Sequence, residues 1–135
     1  MPIEIADSPA TTTLTFAVLP PLGQSLEGGT FAGITTLADG KHVAVVLLPI
    51  KAEDINWKDA MDLAASQGGE LPSRAVAALL YANLKPQLTP RWHWTCESYD
   101  ASSAWLCYFL YGTQHGTHKS YEGCAVAVRL IPLTA

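Results

Sequence analysis

The stretch Trp92–Arg129, WHWTCESYDASSAWLCYFLYGTQHGTHKSYEGCAVAVR, decides the fold class. Helical spacing is missing from it. The short runs WHWTC, AWLCYFLY and CAVAVRLI, the last reaching Ile131, are separated by clusters of Ser, Gly, Asp and Thr, as strands are by their turns. The segment from Gly112 to Ser120 reads as a loop between them. Trp92, Trp94, Tyr99, Trp105, Tyr108, Phe109, Tyr111 and Tyr121 crowd into the same third of the chain, beside Ser, Thr, Gly and His and few formal charges. Rigid aromatic rings supply contact area at low conformational cost and small polar residues adapt to a partner, so this mixture reads as a binding surface.

Upstream of Pro90 the spacing is helical. Asn56 can cap a helix with Asp59 at its third position, and Trp57, Ala60, Met61 and Ala64 then share a face until Gly68-Gly69 stops it. Trp57 and Met61 at this spacing read as core packing rather than a cofactor contact. Ser73 caps a second helix, lined inside by Val76, Leu79, Leu80 and Leu84 and broken at Lys85-Pro86. Still further upstream, FAGITTLADGKHVAVVLLP reads as two strands about an Asp39-Gly40 turn. The second, His42 to Leu48, is almost wholly apolar and belongs in the centre of a sheet, with His42 structural. In residues 1–27 the alternation of Leu14, Phe16 and Val18 predicts a short strand ended by Pro20-Pro21. Such an arm either returns to its own sheet or pairs with a neighbouring subunit. Strands, two helices, then strands define an α+β domain, the helices packed on antiparallel sheet.

At 135 residues the chain is expected to hold one domain. Only 15% of residues are charged and the formal net charge is -4, so the clustered Lys and Arg of a nucleic-acid footprint are lacking. No apolar run nears the ~20 residues of a membrane span and no secretory leader is apparent, so membrane insertion is not expected and synthesis in the cytoplasm is. The odd count of Cys96, Cys107 and Cys124 argues for mostly buried thiols over a disulfide framework. His93, His115 and His118 with these cysteines lack a metal-site spacing. Glu97, Asp100 and Glu122, the acids beyond Pro90, are too scattered for calcium. A Cys96–His93 nucleophile has no third, orienting group. The expectation is therefore no metal, no cofactor and no enzymatic activity. Lys119 reads as a solvated charge or a contact for an anionic group, and Arg129 as a partner for Glu70 or Glu97.

A longer constellation adds to this reading: Gly28–Ile34 (GGTFAGI), Gly68–Arg74 (GGELPSR), Trp94, Ala104-Trp105, Phe109, Gly112, Gln114 and Ala127–Arg129 (AVR). Its order resembles the C-type-lectin-like fold of phage and bacterial proteins related to the formylglycine-generating enzyme, including the variable proteins of diversity-generating retroelements. The resemblance covers nearly all of the chain after residue 28 and implies a domain at 28–135 preceded by an arm at 1–27. It also implies that the scaffold positions hold a ligand-facing set: Leu106, Tyr108, Leu110, Tyr111, Thr113, His115, Gly116, Thr117, His118, Ser120 and Tyr121. Period-two geometry separately puts Leu106, Tyr108 and Leu110 on one strand face and Trp105, Cys107 and Phe109 on the other, core, face.

The resulting expectation is a non-enzymatic phage or prophage protein, associated with the virion. It would bind a host-surface protein or glycan through this face and form a homo-oligomer through its arm. Two other readings stay open: a structural virion component meeting other virion subunits, such as a decoration or fibre-base protein, and an intracellular inhibitor of a host protein.

Overall fold

The order of elements follows the alternation of β-type runs and capped helices. The computed structural model describes residues 12–135, with strands β1 (Leu14–Thr15), β2 (Ser25–Leu26), β3 (Gly29–Thr36), β4 (His42–Ile55), β5 (Trp92–Ser98), β6 (Ser103–Tyr108), β7 (Gln114–His118) and β8 (Gly123–Thr134). Between β4 and β5 stand α1 (Trp57–Ser66) and α2 (Arg74–Leu84). The fold is α+β: one mostly antiparallel sheet ordered β2-β3-β4-β8-β5-β6-β7, with β1 pairing β8 off that path. Only the β1–β8 and β5–β8 pairings are parallel. Among the described residues no helix is long and apolar enough to cross a membrane.

Local chemistry forms the turns and caps. Gly40 takes φ +86° and the Lys41 N–H donates to Asp39 Oδ1 at 3.0 Å, closing the β3–β4 turn. Asn56 Oδ1 accepts the Asp59 N–H at 2.9 Å and Ser73 Oγ the Val76 N–H at 3.1 Å, satisfying donors that the first turns of α1 and α2 leave open. Strand β4 lies between β3 and β8, as its apolar run requires, and continues past Leu48 to Ile55. Pro49 falls where the β4–β8 register shifts, between Leu47 and Lys51, so its missing N–H breaks no regular ladder bond.

Successive residues of β8 divide the core. Val126 and Val128 point to α2, whose Val76, Ala77, Leu80 and Leu84 bury them with Val45, Cys107 and Phe109. Ala125 and Ala127 point the other way, to Ala60 and Ala64 of α1, with Leu71, Trp94 and Leu106. Further along that second face, Phe31, Ala44, Val46 and Ile131 are covered by Leu14, Leu19, Leu26 and Leu133. Residues 14–26 thus serve the chain's own sheet, while residues 1–11 of the expected arm lie outside the described residues. Phe16–Val18 form a 3-10 turn where alternation predicted strand, so the pairing stops at Thr15.

Three further expectations are corrected. Gln114–His118 is a strand, not a loop: it pairs residue by residue with β6 despite poor strand propensity, because tertiary contacts hold it. Arg74 spans 3.6 Å above the Trp105 ring, donates from Nε to Gln114 Oε1 at 2.8 Å, and accepts from Gln114 Nε2 at its own carbonyl at 2.9 Å. Leu106, expected on the displayed face, is 2% exposed, because the sheet packs on both sides there and Trp94 and Ala104 enclose it. Arg129 pairs with neither Glu70 nor Glu97; its Nη2 donates to the Glu27 carbonyl at 3.2 Å, and Glu97 Oε2 instead accepts the N–H of Arg74 at the start of α2.

Candidate functional site

Registered partners in neighbouring strands share a face. The pairs Trp92–Tyr108, Trp94–Leu106, Leu106–His115 and Ala104–Thr117 therefore put Trp92, Trp94, Ala104, Leu106, Tyr108, His115 and Thr117 on one side of β5–β6–β7. At the inner end Trp94 is fully enclosed and its Nε1–H donates to the Ile55 carbonyl at 2.9 Å. Among the described residues no helix or strand covers the outer end. Trp92 and Tyr108 stack there at 4.7 Å between centroids and 13° between planes. His115 sets its edge on Trp92 at 5.5 Å, Tyr111 packs on Tyr108 at 5.7 Å, and Tyr121 reaches Trp94 at 6.2 Å.

These side chains frame a solvent-open notch of about 270 Å³, lined by Trp92, Leu106, His115, Gly116, Thr117 and Tyr121. Leu106 is its floor. Gly123, at the start of β8, leaves room for it: a Cβ at this position would lie 3.2 Å from Leu106 Cδ2 and 3.3 Å from the Tyr121 ring. A larger groove of about 400 Å³ runs along Gly68–Glu70 and Val128–Pro132, but Thr12 borders it and the chain before Thr12 is not described.

The structure brings together part of the sequence-predicted set. His115, Gly116, Thr117 and Tyr121 meet around the notch above Leu106, Tyr108 stacks on its Trp92 wall, and Tyr111, 69% exposed, stands beside Tyr108. Leu110 lies half-buried in the turn after β6, its carbonyl accepting from the Tyr81 hydroxyl at 3.3 Å. Thr113 is exposed, and its carbonyl holds the Tyr108 N–H. His118 is registered with Ser103 on the opposite face, and Ser120 is exposed in the turn that follows. Being three apart on a strand, His115 and His118 point to opposite sides. Trp92 was not in the predicted set; its alternation with Trp94 was the available signal, but only the β5–β6 register shows that it stacks on Tyr108.

The titratable groups nearby are quiet ones. Burial above all holds His93 down at about 4, and its ring lies 4.5 Å from Phe109 with Nδ1 2.9 Å from the Arg91 carbonyl. With that carbonyl as acceptor, Nδ1 carries the proton of a neutral imidazole. Burial pushes the thiols of Cys96, Cys107 and Cys124 up, which keeps them protonated and weakly nucleophilic at neutral pH. Lys119 sits 4.5 Å above the Trp57 ring and donates to the Ala101 carbonyl at 3.1 Å, away from the notch. Among the described residues no group of three or more His, Cys, Asp or Glu is placed to hold a metal ion. What the site offers chemically is apolar and ring contact with hydroxyl and imidazole groups at its rim. Compared with models of known protein families and with curated proteins, the chain matches none.

Proposed function

We propose that this chain is a non-enzymatic recognition protein of a phage or prophage, built on a C-type-lectin-like scaffold. It offers the notch between β5, β6 and β7 to a protein or glycan of the host surface. The observation that carries the reading is the stack of Trp92 on Tyr108, ringed by His115, Thr117 and Tyr121 over the apolar floor of Leu106. Concave sites with an apolar base and a few convergent polar groups are where ligands are held. Central aromatic anchors commonly dominate such contacts, and losing one costs on the order of 2 kcal/mol or more. Attachment or self-assembly through the segment before Gly28 belongs to the same reading.

The test is binding of the purified chain to whole bacterial cells and to a printed glycan array, compared with Tyr121→Ala and with Tyr111→Ala/Tyr121→Ala. Both rings are exposed, so the variants fold, and a loss of at least about tenfold in half-maximal binding is the expected result. Unchanged binding by the double variant would sink the assignment of this face.

A further inference from the structure

The outer edge of β7 carries an inference that the notch does not need. In an antiparallel ladder, residues whose backbone groups bond across alternate with residues whose groups point away. The Tyr108 N–H donates to the Thr113 carbonyl at 2.7 Å and the Lys119 N–H to the Ser102 carbonyl at 2.8 Å. With the unbroken register between, residues 113, 115, 117 and 119 turn their backbone groups toward β6. Gln114, Gly116 and His118 turn theirs outward. Of these only the His118 carbonyl has a partner among the described residues, the Tyr121 N–H at 3.0 Å.

Sheet edges are ordinarily blunted by a charge, a proline or a bulge. QHGTH has no Asp, Glu, Lys, Arg or Pro, and its pairing shows no register shift. The outward-turned residues Gln114 and His118 also flank Gly116 evenly, two positions to either side. We propose that two copies of this chain pair edge to edge through β7, antiparallel, about a twofold axis at Gly116. Each Gly116 then donates to and accepts from the partner's Gly116, and the His118 N–H meets the partner's Gln114 carbonyl. His115 lies opposite the partner's Thr117, so no like charges face each other across the seam.

Side chains favour a second copy over an unrelated extended segment. The Tyr99 ring lies so close over Gly116 that a Cβ there would be 2.9 Å from it, yet Tyr99 is 60% exposed. Facing Gly116 residues in a bonded pair stand ~5.5 Å apart at Cα. Two Tyr99 rings carried over them fall within the ~4.5–7 Å that aromatic pairs adopt. An unrelated strand brings no matching ring. The same axis sets the two notches side by side on the opposite face, since His115 and Thr117 line them, and paired weak sites gain by avidity. A short edge and one tyrosine bury less than the ~800 Å² per partner of a stable interface, so the dimer is in exchange with monomer and dissociates on dilution.

Sedimentation equilibrium over a dilution series tests this with the full chain and two double variants. His115→Lys with Thr117→Lys sets ammonium against ammonium across the seam, and His115→Glu with Thr117→Lys sets carboxylate against ammonium in the same places. The expected result is a dimer that the first pair weakens at least tenfold and the second restores. A wild-type monomer throughout overturns the proposal and leaves the edge to a segment of another protein. A dimer insensitive to the Lys pair overturns it as well, by placing the contact elsewhere. A monomer that still binds cells or glycans would leave the proposed function standing without the dimer.

Discussion

His93 is a base kept neutral inside the fold, and that has a sign. Its folded value of about 4 lies below the 6.5 of an exposed imidazole, first because of burial and then because the cations of Lys51 and Arg91 oppose another charge. Above pH 6.5 neither state binds the proton and the full stability is present. As pH falls from 6.5 toward about 4 the unfolded chain takes up the proton and the folded chain does not, so stability declines through that window. The full difference is worth about 3 kcal/mol. Urea denaturation between pH 7 and pH 4 should show this fall, and His93→Asn should flatten it; an equally steep slope in the variant would assign the effect to other groups.

At the scale of elements, the short segment from Leu14 to Leu26 is more than a tether. Through Leu14, Leu19 and Leu26 it covers Phe31, Ala44, Val46 and Ile131, a cluster to which neither helix contributes. Each such leucine, even half-buried, contributes on the order of 1 kcal/mol. A chain beginning at Gly28 should therefore melt far lower than one beginning at Thr12, or expose its core to a hydrophobic dye. Equal melting of the two would show that these contacts contribute nothing. The helices and their caps were legible in the sequence because capping and face periodicity are local. So was the β3–β4 hairpin, since Asp39-Gly40 dictates its turn. Strand β7 was not: Gln, His and Gly carry no strand signal, one Thr makes no alternation, and β6, Tyr99 and the Arg74–Gln114 pair hold the segment extended. Trp92 was hidden for a related reason, since its place depends on a register between strands that alternation within one strand does not fix. Leu106 shows the converse. Alternation put it rightly on the face of Tyr108, but α1 and Trp94 bury that face at its inner end.

Over the whole molecule, protection should follow the sheet order. Strands β4 and β8 lie side by side at the centre with core on both faces, and their backbone amides should be the slowest to exchange with deuterium. The outward amides of Gly116 and His118 should exchange fast in dilute protein and slow down as concentration rises. If β4 exchanged as quickly as β7, the central placement would be wrong. Fold class could be read along the chain because elements follow one another in sequence. The order of strands in space could not, since β8, the last of them, is inserted between β4 and β5.

That insertion also settles how the molecule can be held. The start of β8 borders the notch through Gly123, while its far end, at Leu133 and Thr134, lies alongside Leu14 and Thr15. At ~3.3 Å per residue the two ends of this twelve-residue strand are about 36 Å apart. Both described ends of the polypeptide therefore leave from one pole and the aromatic notch occupies the other. A tag, a surface linkage or a carrier joined at either described end grips the molecule like a handle, with the notch pointing away from whatever holds it.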